Sequence, residues 1–274
     1  MQNSSAPLHQ RIIYGIIALQ IAKGKVFNKN ERSAGAFKIK PCKLSMSSNI
    51  VIGIEGLVGS GKTSICRELL KHIPNSIILH GGNLYRGIVY SLMNSSGKID
   101  LNNLTDNIKN VDIKNVMELL KIEFKIENRE TVVYANGVKL DETKLQSEEN
   151  SLAVSMTGKN ANNQAFYEFA RKLIDGYKEK FNVIVSGRDL MQIYPKLDYH
   201  FFIEASLEER IQRKMHQYGN NANYDGIKDN IEKRDNLQKA AGYYKIYEQT
   251  IKVDVTDCKS AEESALKVLK FIEI

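Results

Sequence analysis

The stretch GIEGLVGSGKTS, from Gly53 to Ser64, decides how the chain is interpreted. It follows the apolar run Ile50-Val51-Ile52, whose β-branched residues predict a strand. Seven of its twelve residues are Gly, Ser or Thr, and helical spacing begins directly after its last glycine. Glycines permit positive φ, so backbone N–H groups can turn toward one point. The stretch therefore predicts an anion site between a strand and a helix.

Residues 56–63 within this stretch read G-x-x-x-x-G-K-[ST], which is the P-loop pattern. We expect the Lys62 ammonium to reach the β- and γ-phosphates of a nucleoside triphosphate, and the Thr63 hydroxyl to bind Mg²⁺. The residues expected to cradle the nucleotide are Gly56, Gly59, Ser60, Gly61, Lys62, Thr63 and Ser64. The pattern predicts a phosphate donor but leaves the acceptor open, because GTPases, helicases and small-molecule kinases share it.

Strand-like and helix-like segments alternate along the rest of the chain. Short apolar strands are expected at 49–55, 76–80, 181–185, 199–203 and 251–255. Helices are expected at 61–72, 83–93, 165–180, 206–217, 227–248 with an interruption at Gly242, and 261–272. Four or five strands separated by helices predict an α/β fold with a largely parallel sheet.

One β-rich patch does not alternate with helices. Residues 122–125 and 131–135 predict a hairpin across 127–130, and Asn136-Gly137 is a strong turn signal after it. We interpret this patch as a small inserted subdomain. The preceding segment, 94–112, is rich in Asn, Ser and Asp and predicts a loop around one short helix.

The basic character of the chain is confined to its N-terminal segment. Residues 1–45 contain eight Lys or Arg and one acid, Glu31, so they account for the whole net charge of +7. The other 229 residues carry 31 basic and 31 acidic side chains, a balance that does not favour a nucleic-acid partner. We interpret residues 1–45 as a poorly ordered extension, or as sequence translated ahead of Met46. An organellar targeting peptide and a membrane-surface or interaction arm are the alternatives.

No apolar run in the chain is long enough to cross a bilayer. The most apolar stretch, Ile12–Ala22, has about half the required length. Cys42, Cys66 and Cys258 lie far apart without metal-ligand spacing, and we interpret them as reduced thiols of an intracellular protein. We expect a cytoplasmic monomer without membrane or nucleic-acid partners, or an organellar protein if the extension is a targeting peptide.

Phosphoryl transfer between two anions requires positive charge at both ends of the reaction centre. Four segments after the P-loop supply arginines: Tyr85-Arg86, Gly187-Arg188-Asp189, Arg210 with Arg213, and Arg234-Asp235. Arg188 follows a predicted buried strand, at the carboxyl edge where α/β proteins bind ligands. A single arginine is usually a solvated surface charge, so these positions gain weight only from their order after the P-loop.

From about Asn49 to its C-terminal end, the chain resembles the cytidylate kinases, which are P-loop nucleoside monophosphate kinases. The matching pieces, in family order, are the P-loop, Gly82-Asn83-Leu84-Tyr85-Arg86, Ala135-Asn136-Gly137, Ser147-Glu148-Glu149, Ser186-Gly187-Arg188-Asp189, Ala205 to Arg210, and Lys233-Arg234-Asp235. The resemblance implies a three-layer P-loop fold with a mainly parallel five-stranded sheet. It also implies one kinase domain at 46–274, with an inserted acceptor subdomain at about 100–165 and a helical lid at about 206–240.

The resemblance further implies transfer of the ATP γ-phosphate to CMP or dCMP with Mg²⁺. The substrate-binding residues would then be Tyr85, Arg86, Arg188, Asp189 and Arg234. Arg210 and Arg213 would belong to the lid that closes over the ATP phosphates. The candidate catalytic residues are Lys62, Arg188, Arg210 and Arg213.

Several acceptor-side positions depart from the family pattern. The family has Ser or Thr at Gly81, Arg at Gln146, Asp at Ser186, Asp at Gln238 and Arg at Ala241. Losing two arginines removes two charge-assisted hydrogen bonds of about 1.5–3 kcal/mol each, which would weaken CMP binding unless other groups substitute.

The missing carboxylate at Ser186 would normally help to order Mg²⁺, and Glu55 at the end of the first strand is the nearest candidate replacement. A glutamate at this position also resembles the thymidylate and deoxynucleoside kinases, and in nucleoside kinases it serves as the base for a hydroxyl acceptor. Three hypotheses follow: a kinase for CMP, dCMP or a related pyrimidine monophosphate; a P-loop kinase for a nucleoside or another small molecule; and a nucleotide-binding protein with little turnover.

Overall fold

The computed structural model describes residues 49–94, 117–118, 121–157, 164–219 and 222–273. The extension at 1–45 and nearly all of the predicted loop at 94–112 lie outside the described residues. None of the described helices is long and apolar enough to cross a membrane.

Eight strands of the described residues form one sheet. In chain order they are β1 (Val51–Gly56), β2 (Ser76–His80), β3 (Glu123–Glu127), β4 (Glu130–Ala135), β5 (Val138–Lys139), β6 (Asn182–Ser186), β7 (Tyr199–Glu204) and β8 (Thr250–Asp254). Five of them are parallel, in the order β2-β6-β1-β7-β8, so the predicted five-stranded parallel sheet is confirmed.

The helices cover both faces of this sheet. In chain order they are α1 (Lys62–His72), α2 (Gly81–Met93), α3 (Glu142–Leu145), α4 (Glu148–Thr157), α5 (Gln164–Lys178), α6 (Leu190–Ile193), α7 (Leu207–Tyr218), α8 (Tyr224–Ala240) and α9 (Ala261–Leu269). One core packs α1 and α9 against the sheet, and the other packs α2 and α5 against the opposite face. The fold is therefore a three-layer α/β structure.

The apolar runs of the strands follow from this burial on both faces. In β1 all six residues are buried, with Val51 in the core under α2 and α5, and Ile52 and Ile54 in the core under α1 and α9. A parallel strand that is covered on both faces reads as a continuous apolar run rather than an alternating one. This is why β1 could be recognised next to the P-loop.

The hairpin of β3 and β4 extends the edge of the same sheet. Its strands pair across Asn128 and Arg129, as predicted, and β4 contacts β2 in parallel at Ile78 and Glu130. The inserted β patch is thus continuous with the main sheet rather than forming a sheet of its own.

The predicted helix at 227–248 is wrong beyond Ala240. Helix α8 ends there, and no helix follows in residues 241–249. Gly242 has φ 85° and Tyr244 has φ 68°, and these left-handed conformations cannot continue a right-handed helix. Three short helices, α3, α4 and α6, were not predicted, because each is too brief or too irregular in apolar spacing to show a helical period.

Ser206 caps α7 as the sequence predicts. Its side chain accepts a hydrogen bond from the Glu209 N–H at 3.2 Å, and Glu208 and Glu209 lie in the first turn. Helices α7 and α8 pack together on Val58 of the P-loop through Ile211, Ile227 and Ile231. The predicted lid helices therefore contact the loop directly.

Candidate active site

The P-loop joins β1 to α1 at the centre of the parallel sheet, where β1 lies between β6 and β7. Gly56 has φ 147°, and a Cβ built on it would lie 2.1 Å from the Ile203 carbonyl oxygen. Gly61 has φ 89° and immediately precedes α1. The tight turn into α1 therefore depends on glycine at both positions.

The N-terminus of α1 offers free donors to an anion. Gly61 provides no side-chain cap, and the first turn contains no acidic residue. The first N–H groups of a helix have no intrahelical partner and carry the positive end of the helix dipole. Thr63 and Ser64 lie in this turn and line the adjoining cavity, so the start of α1 can present its N–H groups there. The phosphate-binding role of these residues stays a prediction.

Lys62 lies folded across the P-loop. Its ammonium donates to the carbonyl oxygens of Gly56 at 2.9 Å and Leu57 at 2.6 Å. Burial holds the pKa of Lys62 well below its ordinary value, and repulsion from Arg188 and Arg234 adds to this effect. A phosphate in the loop would offer this ammonium a charged partner in place of neutral carbonyls.

A single large cavity connects the P-loop to the predicted acceptor residues. Its volume is about 1340 Å³, which exceeds the ~300–1,000 Å³ of most small-ligand pockets. The lining includes Lys62 and Thr63 on one side and Arg86, Arg188 and Arg234 on the other. The cavity therefore has room for a donor and an acceptor nucleotide together.

Positive charge is concentrated around this cavity. Burial lowers the pKa of Arg86 to about 10, with Arg234 and Arg188 contributing repulsion. Burial also lowers the pKa of Arg234, and repulsion from Arg188 lowers it further. Burial lowers the pKa of Lys214 as well, and Arg234 and Arg86 repel it. Cations that depress one another's pKa lack enough counter-charge, and this favours an anionic ligand between them.

Two of these arginines each have an unpaired hydrogen-bond donor. The Nε atoms of Arg86 and Arg234 are buried and have no hydrogen-bond partner among the residues that the structure describes. A buried donor left unpaired costs about 1–3 kcal/mol, which a bound phosphate oxygen would recover. Lys214 was missed in the sequence, although its position one helical turn after Arg210 offered a signal.

Arg188 is oriented by a residue that departs from the family pattern. Its Nε donates to the Gln238 side-chain carbonyl at 2.7 Å, and its Nη1 donates to the Gly187 carbonyl at 3.0 Å. The Tyr244 hydroxyl donates to the same Gln238 oxygen at 2.6 Å. Gln238 therefore supplies an acceptor where the family has an Asp, without its negative charge.

The other predicted acceptor residues also border the cavity. Asp189 has φ 56° and accepts a hydrogen bond from the Tyr167 hydroxyl at 2.5 Å. Burial raises the pKa of the Asp189 carboxyl, and the nearby Glu55 charge raises it further. Tyr85 packs edge-to-face on Phe166, with ring centroids 5.5 Å apart. The structure thus brings Tyr85, Arg86, Arg188, Asp189 and Arg234 around one space.

The two predicted lid arginines are already bound to the P-loop. Buried Arg210 donates from Nη1 to the Val58 carbonyl at 3.0 Å and pairs with Asp235 at 2.5 Å. Arg213 donates to the Ser60 carbonyl at 3.0 Å and lines the cavity. The geometry favours a supporting role for Arg210 and leaves Arg213 nearer to the ATP phosphates; the catalytic assignment of both residues stays a prediction.

Glu55 does not face the cavity. Its carboxylate accepts a hydrogen bond from the Leu190 N–H at 2.5 Å and lies 3.3 Å from the His200 Nε2. It is 3 % exposed and is not among the residues that line the cavity. No group of three or more His, Cys, Asp or Glu among the described residues is placed to hold a metal. The predicted metal role of Glu55 stays a prediction that this geometry does not favour.

The remaining departures have local partners. A Cβ at Gly81 would lie 3.3 Å from the Ser186 carbonyl oxygen, so a larger side chain would be crowded. Gln146 donates to the Glu142 carboxylate at 2.7 Å. Ala241 follows the last residue of α8 as its C-cap. None of these three residues supplies a positive charge, whereas Lys214 is a cation that lines the same cavity.

The comparisons with known proteins identify the family of the chain. The sequence model of the family described as cytidylate kinase matches residues 52–273. The chain belongs to the cytidylate kinase family. It is therefore an ATP-dependent phosphotransferase of the nucleoside monophosphate kinase type.

Two named relatives support the same assignment at low identity. A cytidylate kinase of Mycoplasmopsis synoviae (strain 53) is 28% identical over 236 residues, which cover 83% of this chain and 100% of that protein. A cytidylate kinase of Clostridioides difficile (strain 630) is 25% identical, covering 82% of this chain and 99% of that protein. A solved structure of an uncharacterized protein from Eubacterium ventriosum matches with a TM-score of 0.42 and 14% identity, over 82% of this chain and 98% of that one.

Proposed function

We propose that this protein transfers the γ-phosphate of ATP to CMP or dCMP. The observation that carries the proposal is the set of mutually repelling cations around one cavity, between the P-loop and the acceptor-side arginines. Two phosphorylated ligands would supply the missing negative charge from both sides. Named cytidylate kinases among the relatives favour cytidine monophosphates as the acceptor class.

On the donor side, the free N–H groups at the start of α1 would bind the β-phosphate, and Lys62 would leave its loop carbonyls for the γ-phosphate. On the acceptor side, Arg188 and Arg234 would hold the monophosphate in line with the transferred group. The bond from the γ-phosphorus to the β–γ bridging oxygen breaks while a bond to an acceptor phosphate oxygen forms. The products are ADP and a nucleoside diphosphate.

The residues present fit Mg²⁺ as the accompanying cation. Thr63 lines the cavity in the first turn of α1, and magnesium in such sites takes most of its other ligands from phosphates and water. When bound, Mg²⁺ would neutralise charge on the ATP phosphates. Asp189 is the carboxylate that follows β6 in the cavity wall, but it is hydrogen-bonded to Tyr167. The donor set from the protein is therefore small, with Thr63 as its clearest member.

The second candidate function, called the drifted-acceptor function below, is a P-loop kinase for a nucleoside or another small molecule. The neutral residues Gln146, Gln238 and Ala241 favour it. Its nucleoside form needs a base for a hydroxyl group, and Glu55 was the residue predicted for that role. Because the Glu55 carboxylate is turned toward Leu190 and His200, the geometry gives the nucleoside form little support.

We also propose a cytoplasmic monomer as the working form.

The test is an acceptor panel with the full-length chain, ATP and Mg²⁺. ADP release is measured with CMP, dCMP, UMP, dTMP, AMP and GMP, and with the corresponding nucleosides. We expect ADP formation that depends on CMP or dCMP, with products identified as the diphosphates. Turnover with a nucleoside alone would support the drifted-acceptor function. Absence of acceptor-dependent ADP throughout the panel would leave the third hypothesis, a nucleotide-binding protein with little turnover.

A further inference from the structure

Tyr244 occupies a position that neither the P-loop nor the acceptor motifs include. It lies in the segment after α8, at the left-handed φ of 68°. Its ring packs edge-to-face on Phe202 at 5.7 Å, and the Arg188 guanidinium lies 5.7 Å from the ring centroid. A non-glycine residue in this conformation persists only when its surroundings hold it there, and such residues concentrate at functional sites.

The Tyr244 hydroxyl connects the two halves of the site. It lies 2.8 Å from the Asp235 Oδ1 and 2.6 Å from the Gln238 Oε1. Asp235 also accepts from the Val58 N–H in the P-loop at 3.1 Å. Gln238 accepts from Arg188 at 2.7 Å. The phenol has one proton, so it donates to one of these two oxygens at a time, and the shorter contact is with Gln238. Two α8 side chains, one bound to the P-loop backbone and the other to the acceptor-side arginine, therefore meet at this hydroxyl.

Gln238 needs this second donor because it is neutral. A carboxylate beside Arg188 would hold the guanidinium by charge as well as by hydrogen bonding, whereas an amide oxygen holds it by hydrogen bonding alone. An amide can also rotate to present its NH₂ group instead. Two donors, Arg188 and Tyr244, fix its oxygen toward the arginine. Gln238 lines the cavity and Tyr244 does not, so Tyr244 supports the site from behind.

We propose that Tyr244 is a positioning residue for the acceptor nucleotide, which acts on Arg188 through Gln238. The proposal rests on the proposed function only in assigning Arg188 to the acceptor phosphate. It explains how a chain with Gln in place of Asp keeps its acceptor arginine oriented.

The test compares steady-state kinetics of the full-length chain with those of Tyr244→Phe, using the best acceptor of the panel. The variant loses the hydroxyl and keeps the ring packed on Phe202 and Arg188. We expect the acceptor KM to rise about fivefold, as for the loss of one hydrogen bond, and the ATP KM to stay within twofold. Tyr247→Phe is the matched control, since its hydroxyl accepts from Gln192 on the surface, and it should leave both KM values unchanged.

A double-mutant cycle with Gln238→Ala separates positioning from a general structural effect. If Tyr244 acts through Gln238, Tyr244→Phe should change the acceptor KM by less than twofold in the Gln238→Ala background. An equal effect in both backgrounds, an unshifted acceptor KM, or an ATP KM that rises in parallel would overturn the proposal.

Two further readouts keep the outcomes distinguishable. If thermal unfolding shows that Tyr244→Phe does not fold, the acceptor KM of Gln238→Ala is the deciding measurement. An unchanged acceptor KM in Gln238→Ala would reject the path from Tyr244 through Gln238 to Arg188. Failure of the unmodified protein to use any acceptor would reject the proposed function. Normal turnover with unshifted variants would reject only the role of Tyr244.

Discussion

Single residues at this site are set by the balance between burial and charge. Lys62 is half-buried and is repelled by Arg188 and Arg234, and its three donors are occupied by the P-loop itself. Such a charged group destabilises the folded protein unless an anion is bound beside it. The same reasoning applies to the unpaired Nε atoms of Arg86 and Arg234. These groups therefore lower the stability of the free protein, and the proposed phosphate ligands would offset that cost.

Lys62→Ala should separate stability from activity. We expect turnover to fall by about two orders of magnitude or more, because a cation at the transferring phosphate is lost. The temperature of unfolding should stay the same or rise, since removing the ammonium relieves repulsion with Arg188 and Arg234. ADP release and thermal unfolding measure the two effects. Lys71→Ala, which changes an exposed lysine on the same helix, is the control. Near-normal turnover in Lys62→Ala would refute the P-loop assignment.

At the scale of elements, one carboxylate joins the hairpin to the P-loop helix. Glu130 at the start of β4 accepts from Arg67 of α1 at 2.9 Å and lies 2.7 Å from the Nε2 of His80 at the end of β2. These partners, His80 first, lower the pKa of Glu130 to about 2. Since α1 begins at the P-loop and α2 follows His80, the contact ties donor-side and acceptor-side elements together.

Glu130→Gln should lower stability in a pH-dependent way. The folded pKa of about 2 lies below the ordinary value of 4.5, so the carboxylate stabilises the fold above pH 4.5 and loses this effect as the pH falls toward 2. We expect a loss of about 1 kcal/mol at pH 7, the order seen for partly exposed ion pairs, and a smaller difference at pH 3. Urea unfolding at both values measures it. Glu123→Gln, an exposed change in β3, is the control, and a difference that grows on acidification would contradict the assignment.

At the scale of the whole molecule, one sheet carries the segments of both predicted halves of the site. The P-loop follows β1, Arg188 follows β6, and α2 with Arg86 follows β2, and these three strands are neighbours in the order β2-β6-β1. Ligands in open α/β sheets bind outside the carboxyl ends of the strands, where all three segments emerge. Helices α7 and α8 then add Lys214 and Arg234 from the side of the lid.

The kinase domain should work without residues 1–45. The family match begins at residue 52, and the site residues all lie beyond it. We expect a chain of residues 46–274 to match the full-length chain in kcat and in both KM values within twofold. Parallel assays of the two chains measure this. Loss of activity or of folding in the shorter chain would show that the extension belongs to the working enzyme.

Much of the fold was predictable because its signals are local. The strand of buried β-branched residues, the glycines of the P-loop and the Ser206 cap each lie within a few consecutive residues. The short helices and the end of α8 were not predictable, since tertiary packing and the left-handed turn at Gly242 and Tyr244 decide them. Patterns within a few consecutive residues do not specify such long-range contacts.

The sequence by itself determined the phosphate-binding loop, the parallel α/β order and the arginines that an anionic acceptor requires. Only the tertiary structure decided which way the side chains face. It turned Glu55 away from the cavity and brought Lys214 toward it. It also joined Tyr244 to Arg188 through Gln238, across a sequence separation of 56 residues (188 to 244). The physical reason is that motif spacing specifies backbone position, whereas charge and hydrogen-bond partners are set by elements that meet only after folding.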